Sequence, residues 1–194
     1  MNVDMLAFSG HKGLLGPQGT GGLYIRPGLE VNPLRYGGTG SLSESDLQPE
    51  FLPDRLESGT PNTPGIAGLL AGVRFVLMAG QENIRAKESE LAQTLIDGLN
   101  NIPGVEVFGP TDTKNRTAVV SCNIIGMDSG EAAHVLDNEF GIASRAGLHC
   151  APWAHRTIGT IETGTIRFSP GFFNTKEEIL QTLDAVSAVV RRRR

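Results

Sequence analysis

Hydrophobic and polar positions predict two strands and one long helix in the first part of the chain. Apolar runs at residues 5–8 and 22–25 enclose a polar stretch with several glycines, a pattern typical of strand, loop and strand. Residues 26–62 are rich in Gly and Pro and predict a long irregular segment. Behind it, Thr63 and Pro64 are expected as the N-cap and first residue of a helix. Its expected buried stripe consists of Ile66, Leu69, Leu70, Val73, Val76 and Leu77.

The second part of the chain alternates between helical and strand spacing. Thr175 and Glu178 form a capping box that starts a final helix, and Ser129 is expected to cap an earlier one. The pattern predicts an α/β fold, of α+β type in the second half, with a domain boundary after residue 83. The expected elements are a helix over 81–101, strands over 105–108 and 117–124, a helix over 129–140, strands over 142–144 and 164–169, and a helix from residue 176.

Composition narrows the class of protein. The chain has 194 residues and a formal net charge of −4, which leaves too little basic surface for nucleic-acid binding. No apolar run reaches the length of a membrane span, and the N-terminus lacks the order of a signal peptide, so we expect a cytoplasmic protein. Two cysteines are too few for a disulfide framework. The arginines at residues 191–194 are expected to complement the carbonyl end of the last helix in solvent.

Lys12 is the first candidate functional residue. It lies in the run Ser9-Gly10-His11-Lys12-Gly13, at the end of the first predicted strand. A solvated surface lysine is the simpler interpretation. However, glycines on both sides let the backbone approach a ligand, and a lysine held in such a loop can form a Schiff base with an aldehyde. The start of the first helix, with the hydroxyl of Thr60 just ahead of it, is a candidate seat for a phosphate.

A second candidate site surrounds Cys150. The basic residues Arg145 and His149 precede it in a loop, and such surroundings favour the reactive thiolate, so Cys150 is either a reactive or a structural cysteine. Cys122 lies within a predicted strand and is expected to be buried and inert. No acidic or paired-Cys ligand completes a metal site here. Arg167, within an apolar strand, predicts either a structural ion pair or a clamp for a carboxylate.

Four ordered stretches, spread over nearly the whole chain, resemble the class V aminotransferase family of pyridoxal-phosphate enzymes, and within it the cysteine desulfurases and selenocysteine lyases. The short spacing from Cys150 to Arg167 is more similar to the selenocysteine lyase-like branch. The stretches are Ser9-Gly10-His11-Lys12 with Gly16-Pro17 and Gly19, Glu57-Ser58-Gly59-Thr60-Pro61-Asn62-Thr63, Arg145-Ala146-Gly147-Leu148-His149-Cys150-Ala151, and Arg167 with Asn174-Thr175-Lys176-Glu177-Glu178.

The resemblance implies a fold and a cofactor. The fold would be the C-terminal part of a fold-type-I PLP-dependent transferase, with residues 1–83 in the large PLP-binding domain and residues 84–194 as a small α+β domain. Pyridoxal 5'-phosphate would be bound covalently by Lys12. Its phosphate would be held by Ser9 and His11. Family enzymes carry more of the cofactor domain ahead of this lysine, including an Asp that pairs with the pyridine nitrogen.

The resemblance also implies a shared active site and a reaction. Gly59 and Thr60 would reach the phosphate of the neighbouring subunit in a homodimer. Arg167 would clamp the carboxylate of the amino-acid substrate, with His149 and Arg145 beside it. Cys150 would accept sulfur from L-cysteine as a persulfide and leave L-alanine, with a possible sulfur-acceptor protein as partner.

Two other functions stay open. The first is transamination of a small amino acid, in which Cys150 would be incidental. The second is a non-catalytic fragment that serves in dimerisation or interaction.

Overall fold

The computed structural model describes residues 2–192 and divides into two compact units. The N-terminal unit extends to Gln81 and the C-terminal unit begins at Glu82. The boundary predicted from the pattern lay two residues further on. Arg193 and Arg194 of the arginine run lie outside the described residues.

The N-terminal unit is built from a hairpin, a long connection and a helix. Strands β1 (Met5–Ser9) and β2 (Gly21–Ile25) pair in an antiparallel register, as the two apolar runs predict. Residues 26–62 contain only one short 3₁₀ turn, Asp54–Leu56, which agrees with the irregular segment expected there. Helix α1 (Thr63–Ala79) follows.

Helix α1 differs from the prediction at its start. Its N-cap is Asn62, whose side-chain oxygen accepts a hydrogen bond from the backbone N–H of Gly65. Thr63 is the first helical residue, so its assignment as the cap was wrong by one position. Asn is as good an N-cap as Thr, and a proline still follows in the first turn.

The predicted buried stripe of α1 was wrong for three of its members. Ile66, Leu70 and Leu77 are exposed, whereas the buried positions are Gly65, Gly72 and Val76. The helix places its glycines against the loop that follows Lys12: a methyl group on Gly72 would lie 2.3 Å from the carbonyl oxygen of Leu14. Close approach of two backbones, rather than burial of large side chains, therefore sets this face.

The C-terminal unit combines one sheet with helices. The sheet has four antiparallel strands in the order β3-β4-β6-β5. Helix α3 contacts strands β4, β5 and β6 and helix α5. The elements are α2 (Gln81–Asn100), β3 (Val105–Phe108), β4 (Val120–Ile124), α3 (Ser129–Phe140), β5 (Arg145–Gly147), α4 (Pro152–Thr157), β6 (Thr165–Phe168) and α5 (Lys176–Arg191).

The sheet has one apolar and one polar face, because side chains alternate along each strand. The apolar face contributes Val120, Cys122, Ile166 and Phe168 to the core. Helices α2, α3 and α5 complete that core with residues at helical spacing, among them Leu91, Leu95, Leu99, Leu136, Val186 and Val190. The alternate positions, including Ser121, Asn123, Arg145, Thr165 and Arg167, share the other face in register.

Three predicted boundaries in this unit were wrong. Strand β4 begins at Val120, whereas the strand was expected from residue 117. The N-cap of α3 is Asp128, whose carboxylate accepts from Gly130 and Glu131, while the Ser129 hydroxyl donates to the Thr163 carbonyl. The strand expected over 142–144 lies over Arg145–Gly147 instead. Ile142 is still part of the helix exit, since its N–H donates to the Leu136 carbonyl, and pairing with β6 begins only at Arg145.

Two terminal features agree with the sequence, whereas Arg192 of the predicted arginine run forms an ion pair with the Glu139 carboxylate instead. Thr175 and Glu178 form the predicted capping box, and the guanidinium of Arg191 donates to the carbonyl of Ser187 in the last turn of α5. Helix α4 was not predicted, because it has only six residues, begins at Pro152 inside a loop and shows no apolar stripe. Among residues 2–192, no single helix is long and apolar enough to cross a membrane, and only α1 and α2 taken together as a bent pair meet that test.

Candidate active site

The residues with candidate chemistry fall into both units. Ser9, His11, Lys12, Gly59 and Thr60 belong to the N-terminal unit, and Arg145, His149, Cys150 and Arg167 belong to the C-terminal unit.

Lys12 lies in a tight turn between β1 and β2. The Gly10 N–H donates to the Thr20 carbonyl, the Gly16 N–H to the Gly10 carbonyl, and the Leu15 N–H to the Lys12 carbonyl. These bonds fix the backbone. The side chains of Ser9, His11 and Lys12 remain exposed, and within residues 2–192 none of them takes part in a hydrogen bond or ion pair. The turn thus presents an amine, an imidazole and a hydroxyl to solvent.

This set of donors fits pyridoxal 5'-phosphate. A free primary amine can bind an aldehyde, and hydroxyl and imidazole groups are suitable donors to a phosphate. Open space on the neighbouring glycine supports the fit, because a Cβ on Gly13 would meet no heavy atom within 4 Å. Lys12, Ser9 and His11 are therefore the residues of this unit that could hold the cofactor.

Gly59 and Thr60 lie in the loop ahead of α1. Gly59 has a φ of +89°, in the region that favours glycine, and its N–H donates to the carbonyl of Gly38. A Cβ here would again meet nothing within 4 Å, and Thr60 is exposed. The loop is held by its backbone and leaves the hydroxyl of Thr60 accessible.

The loop that carries Cys150 has an unusual backbone. His149 and Cys150 have φ values of +52° and +58°, the left-handed region that residues other than Gly rarely adopt. Such conformations cost on the order of 1–3 kcal/mol each and persist only where the surroundings impose them. The Ala151 N–H donates to the Leu148 carbonyl and closes the turn. Cys150 is exposed at its tip, and a guanidinium N–H of Arg145 lies 3.9 Å from its Sγ.

Two arginines lie side by side near this loop. Arg145 on β5 and Arg167 on β6 are direct partners in the antiparallel register, with Ser121 of β4 on the other side of Arg167. Like charges placed opposite each other destabilise a sheet. Among the described residues, neither arginine forms an ion pair with a carboxylate, and the buried Nε of Arg167 has no hydrogen-bond partner. The structural ion pair considered for Arg167 is thus absent from residues 2–192, and the pair can accept an anion.

The side chain of His149 is held by contacts with Thr165 on strand β6. Its Nε2 lies 3.0 Å from the carbonyl oxygen of Thr165 and 3.2 Å from the Thr165 hydroxyl. Its Nδ1 is buried and has no partner among the described residues. The ring of His155, on α4, lies 5.6 Å from the His149 ring, and the Nδ1 of His155 is 2.7 Å from the Thr160 hydroxyl. The imidazole rings of His149 and His155 therefore lie next to each other behind the loop that carries Cys150.

The electrostatics of this region keep His149 neutral. Burial lowers the pKa of His149 below that of a free imidazole, and the charges of Arg167, His155 and Arg145 lower it further. The hydrogen bond to the Thr165 carbonyl acts in the opposite direction and does not outweigh them. Near neutral pH the positive charge of the site therefore comes from the two arginines.

The two cysteines differ as the sequence indicates. Cys122 is fully buried within β4, and desolvation raises the pKa of its thiol to about 12. It is therefore a protonated, inert core residue near neutral pH, whereas Cys150 is exposed beside a guanidinium. Only Cys150 has surroundings suited to nucleophilic chemistry.

The structure brings Arg145, His149, Cys150 and Arg167 together in one unit, although the first and last are 22 residues apart in the chain. The sequence did not indicate the hydroxyls of Thr160 and Thr165, or the packing of His155 behind His149. Thr165 could have been found, because it precedes Arg167 by two positions and shares its face of the strand.

Comparison with known proteins shows the family. The model of the aminotransferase class-V family matches residues 1–182. The chain belongs to this family, whose members are pyridoxal-phosphate enzymes.

Several similar relatives are named as cysteine desulfurases or probable cysteine desulfurases. It is 36% identical to a probable cysteine desulfurase of Methanothermobacter thermautotrophicus, over 97% of this chain and 49% of the relative. It is 34% identical to a cysteine desulfurase of Haloferax volcanii, over 97% of this chain and 44% of the relative. The chain therefore spans about half the length of the curated relatives it matches.

Two solved structures of cysteine desulfurases are also similar to this chain. The apo cysteine desulfurase of Thermococcus onnurineus NA1 is similar at a TM-score of 0.81 and 33% identity, over 97% of this chain and 47% of that one. The cysteine desulfurase CsdA of Escherichia coli is similar at a TM-score of 0.83 and 29% identity, over 98% and 47% of the two chains. The predicted fold class, a part of a PLP-dependent transferase with mixed α and β structure, is confirmed.

Proposed function

We propose that this chain provides the sulfur-accepting and substrate-binding residues of a PLP-dependent cysteine desulfurase, which converts L-cysteine to L-alanine. The observation that carries the proposal is Cys150: an exposed thiol on a left-handed turn, 3.9 Å from a guanidinium nitrogen of Arg145. The names of the relatives, at 33–38% identity, support the same reaction.

The carboxylate of the substrate binds the arginine pair. A planar guanidinium binds two carboxylate oxygens at once, and Arg167 has both a free Nε and no competing ion pair among residues 2–192. Arg145 lies beside it and adds a second positive charge. An anion there removes the repulsion between the two side chains, which favours binding.

Lys12, Ser9 and His11 hold the cofactor. When bound, pyridoxal phosphate supplies an aldehyde for amines and a ring that withdraws electrons from the substrate Cα. Ser9 and His11 would donate to the phosphate, and the Lys12 amine would accept the Cα proton of the substrate as a general base.

Cys150 takes the sulfur. Its thiolate attacks the sulfur of the substrate, and the bond between that sulfur and Cβ breaks. The electron pair of this bond stays on the carbon, which takes up a proton from solvent and becomes the methyl group of alanine. The product on the protein is a persulfide of Cys150, which a further thiol on a partner protein can accept.

The proposal also covers the domains, the oligomeric state and the location of the protein, which we infer from the family. Residues 1–83 belong to the large cofactor domain and residues 84–194 form the small domain, which the two units in the structure support. The enzyme is a homodimer in which Gly59 and Thr60 serve the phosphate of the neighbouring subunit, and the open surface of that loop is compatible with this role. The location is cytoplasmic, in keeping with the charge and composition of the chain.

The test is sulfur release from L-cysteine by the purified protein with added pyridoxal phosphate and a reducing thiol, which reduces the Cys150 persulfide and releases its outer sulfur as sulfide. Alanine and sulfide should form, and Cys150→Ser should lower the rate on the order of 100-fold or more, since the nucleophile is lost. Cys122→Ser is the matched control, because that thiol is buried away from the site, and it should retain the activity. Equal activity in the wild-type protein and Cys150→Ser would contradict the proposal.

The two other functions predict different results. A transaminase would convert a keto acid to its amino acid with no effect of Cys150→Ser. A non-catalytic chain would show no visible absorption band on addition of pyridoxal phosphate. A band that is present in the wild-type protein and absent in Lys12→Ala would exclude that second alternative.

A further inference from the structure

Buried polar side chains are concentrated behind the loop that carries Cys150. Among residues 2–192 the buried polar residues are Ser129, His155, Thr160, Thr165 and Thr182. All of them except Thr182 belong to one hydrogen-bond network that holds the cysteine loop. A buried polar group costs free energy unless it is hydrogen-bonded, whereas a fully bonded network rigidifies its surroundings and specifies one geometry. The network therefore indicates a geometry that an apolar core would not impose.

The contacts form a closed ring that begins and ends at His149. The Nε2 of His149 lies 3.0 Å from the carbonyl oxygen of Thr165. The N–H of Gly164, the residue before Thr165, donates to the carbonyl of Thr160. The hydroxyl of Thr160 lies 2.7 Å from the Nδ1 of His155, and the rings of His155 and His149 are 5.6 Å apart, within the range of contacting aromatic rings. His149 is thus held both by a backbone carbonyl and by a buried ring.

The segment at residues 160–165 is fixed to the core of the unit. The Nδ2 of Asn123 on β4 donates to the carbonyl of Gly164 at 3.0 Å. The hydroxyl of Ser129 on α3 donates to the carbonyl of Thr163 at 2.8 Å. Because β4 and α3 both contribute to the core, this segment is a rigid support for whatever packs against it.

The cysteine loop needs such a support because of its backbone. His149 and Cys150 have φ values of +52° and +58°, and residues other than glycine keep such values only where their surroundings impose them. If both residues relaxed to negative φ, the Cα–Cβ bond of Cys150 would point in another direction. Its Sγ lies 3.9 Å from a guanidinium nitrogen of Arg145, a long contact that a small shift would break.

We propose that the hydrogen-bonded pair His155–Thr160 positions Cys150: it holds the left-handed turn and so keeps the Cys150 sulfur beside the Arg145 guanidinium. Both are positioning residues, because they act through His149 and not on the reacting sulfur. The inference deepens the proposed function and rests on it only for the role of Cys150 as the sulfur acceptor.

The test compares two thiol reagents of different charge, iodoacetate and iodoacetamide, at pH 7. A Cys122→Ser background leaves Cys150 as the single cysteine. Both reagents react with the same thiolate, so its ionised fraction cancels from the ratio of the iodoacetate rate to the iodoacetamide rate. Arg145 attracts the anionic reagent, so Arg145→Gln should lower this ratio about 3- to 10-fold, as one positive charge at about 4 Å in water implies. An unchanged ratio in Arg145→Gln would overturn the proposal.

Thr160→Val tests the pair itself, because it replaces the hydroxyl with a methyl group of similar size. It should lower the ratio by a factor similar to that of Arg145→Gln, and Thr160→Ser, which restores the hydroxyl, should return the ratio to its original value. Thr157→Val is the matched control, since it removes a hydroxyl that donates to the Trp153 carbonyl within α4, and it should leave the ratio unchanged. An unchanged ratio in Thr160→Val, or an equal fall in Thr160→Ser or Thr157→Val, would contradict the positioning role.

A double variant separates positioning from a general loss of structure. Arg145→Gln combined with Thr160→Val should lower the ratio no further than Arg145→Gln alone, because both changes remove the same contact. Additive falls would overturn the proposal. Circular dichroism checks that each variant is folded. If Thr160→Val does not fold, His155→Gln takes its place, since it removes Nδ1 from the Thr160 hydroxyl and should lower the ratio equally. An unchanged ratio there would also contradict the proposal.

These measurements use neither cofactor nor substrate, so they do not depend on desulfurase activity. The expected ratios together with sulfur release that does not need Cys150 would refute the proposed function alone. Unchanged ratios in a desulfurase that needs Cys150 would refute the positioning role alone.

Discussion

The two units of the molecule are stabilised in different ways. Almost all the buried large side chains belong to the C-terminal unit, where a continuous core joins the apolar face of the sheet to three helices. In the N-terminal unit the only large hydrophobic side chain that is buried within the described residues is Val76, which keeps 8% of its surface exposed, and both faces of the hairpin expose apolar residues. The exposed ones include Met5, Leu6, Phe8, Leu23, Tyr24, Ile66, Leu70 and Leu77.

This difference shows where the stability of the chain resides. Burial of apolar surface is the main force in folding, so a unit with a closed core can be stable by itself. The N-terminal unit is ordered instead by turn hydrogen bonds and by close contact of α1 with the loop at Leu14 and Leu15. Apolar surface of this extent on a folded unit usually marks a contact with other protein. We expect the C-terminal unit to unfold as the more cooperative and more stable of the two.

Thiol labelling tests the comparison most strongly. Cys122 lies in the core of the C-terminal unit and has no exposed surface, so it should react only when that unit opens. A cysteine introduced by Leu70→Cys in the N-terminal unit should react faster by on the order of a thousandfold or more, since that position is already exposed. The rates are measured with a thiol reagent in a Cys150→Ser background. Similar rates at the two positions would contradict the difference between the units.

Matched truncations give the next largest effect. Leu95→Ala removes a fully buried side chain and should lower the free energy of unfolding of the C-terminal unit by about 2–5 kcal/mol. Leu70→Ala changes a residue that is 49% exposed and should alter stability by no more than about 0.5 kcal/mol. Urea denaturation followed by circular dichroism measures both. A loss in Leu70→Ala as large as that in Leu95→Ala would show that α1 is buried in solution.

A glycine in each unit sharpens the comparison. A methyl group on Gly72 of α1 would lie 2.3 Å from a backbone carbonyl oxygen, whereas one on Gly98 of α2 would meet the end of the Leu183 side chain. Backbone cannot move aside as readily as a side chain can. Gly72→Ala should therefore destabilise its unit by about 1–3 kcal/mol, and Gly98→Ala should cost less. Hydrogen exchange of the amides in α1 and α2 distinguishes the two outcomes, and a more severe effect of Gly98→Ala would contradict this account.

The smallest effect is a dependence of stability on pH that is confined to the C-terminal unit. Burial lowers the pKa of His149 below the 6.5 of a free imidazole, so the unfolded chain takes up this proton first as the pH falls. Below pH 6.5 the unfolded state therefore binds more protons than the folded state. The stability that neutral His149 contributes above pH 6.5 is lost as the pH falls from 6.5 through the pKa of His149 in the folded protein. His149→Gln should have a flatter profile in urea denaturation between pH 7 and pH 5. An unchanged slope would show that His149 does not cause the effect.

Much of the C-terminal unit could be predicted because its pattern and its packing agree. The strand at residues 105–108 and the capping box at Thr175 are local features, and the structure has both where they were expected. The stripe of α1 could not be predicted in the same way. Helical spacing indicates that one face differs from another, but it does not show that glycines rather than leucines make the close contact.

For the candidate site, too, local features could be predicted from the sequence and the placement of residues on different strands could not. The chemical types were visible in the sequence: an amine between glycines at Lys12, a thiol among basic residues at Cys150, and a charge within an apolar strand at Arg167. Their assigned roles stay predictions, to be tested by the experiments above. The placement of Arg145 opposite Arg167 depends on strand register, which local pattern cannot determine when the strand itself was expected three residues earlier.

The sequence by itself determined the family, the elements of the C-terminal unit and the residue types available for chemistry, because these depend on local order and on short motifs. Only the tertiary structure decided that two arginines share one sheet face without a counter-ion within residues 2–192, and that the Nε2 of His149 lies 3.0 Å from the Thr165 carbonyl oxygen. Both depend on distances between residues on different strands and loops. Those distances arise from sheet pairing and burial, which act over the whole unit and not along the chain.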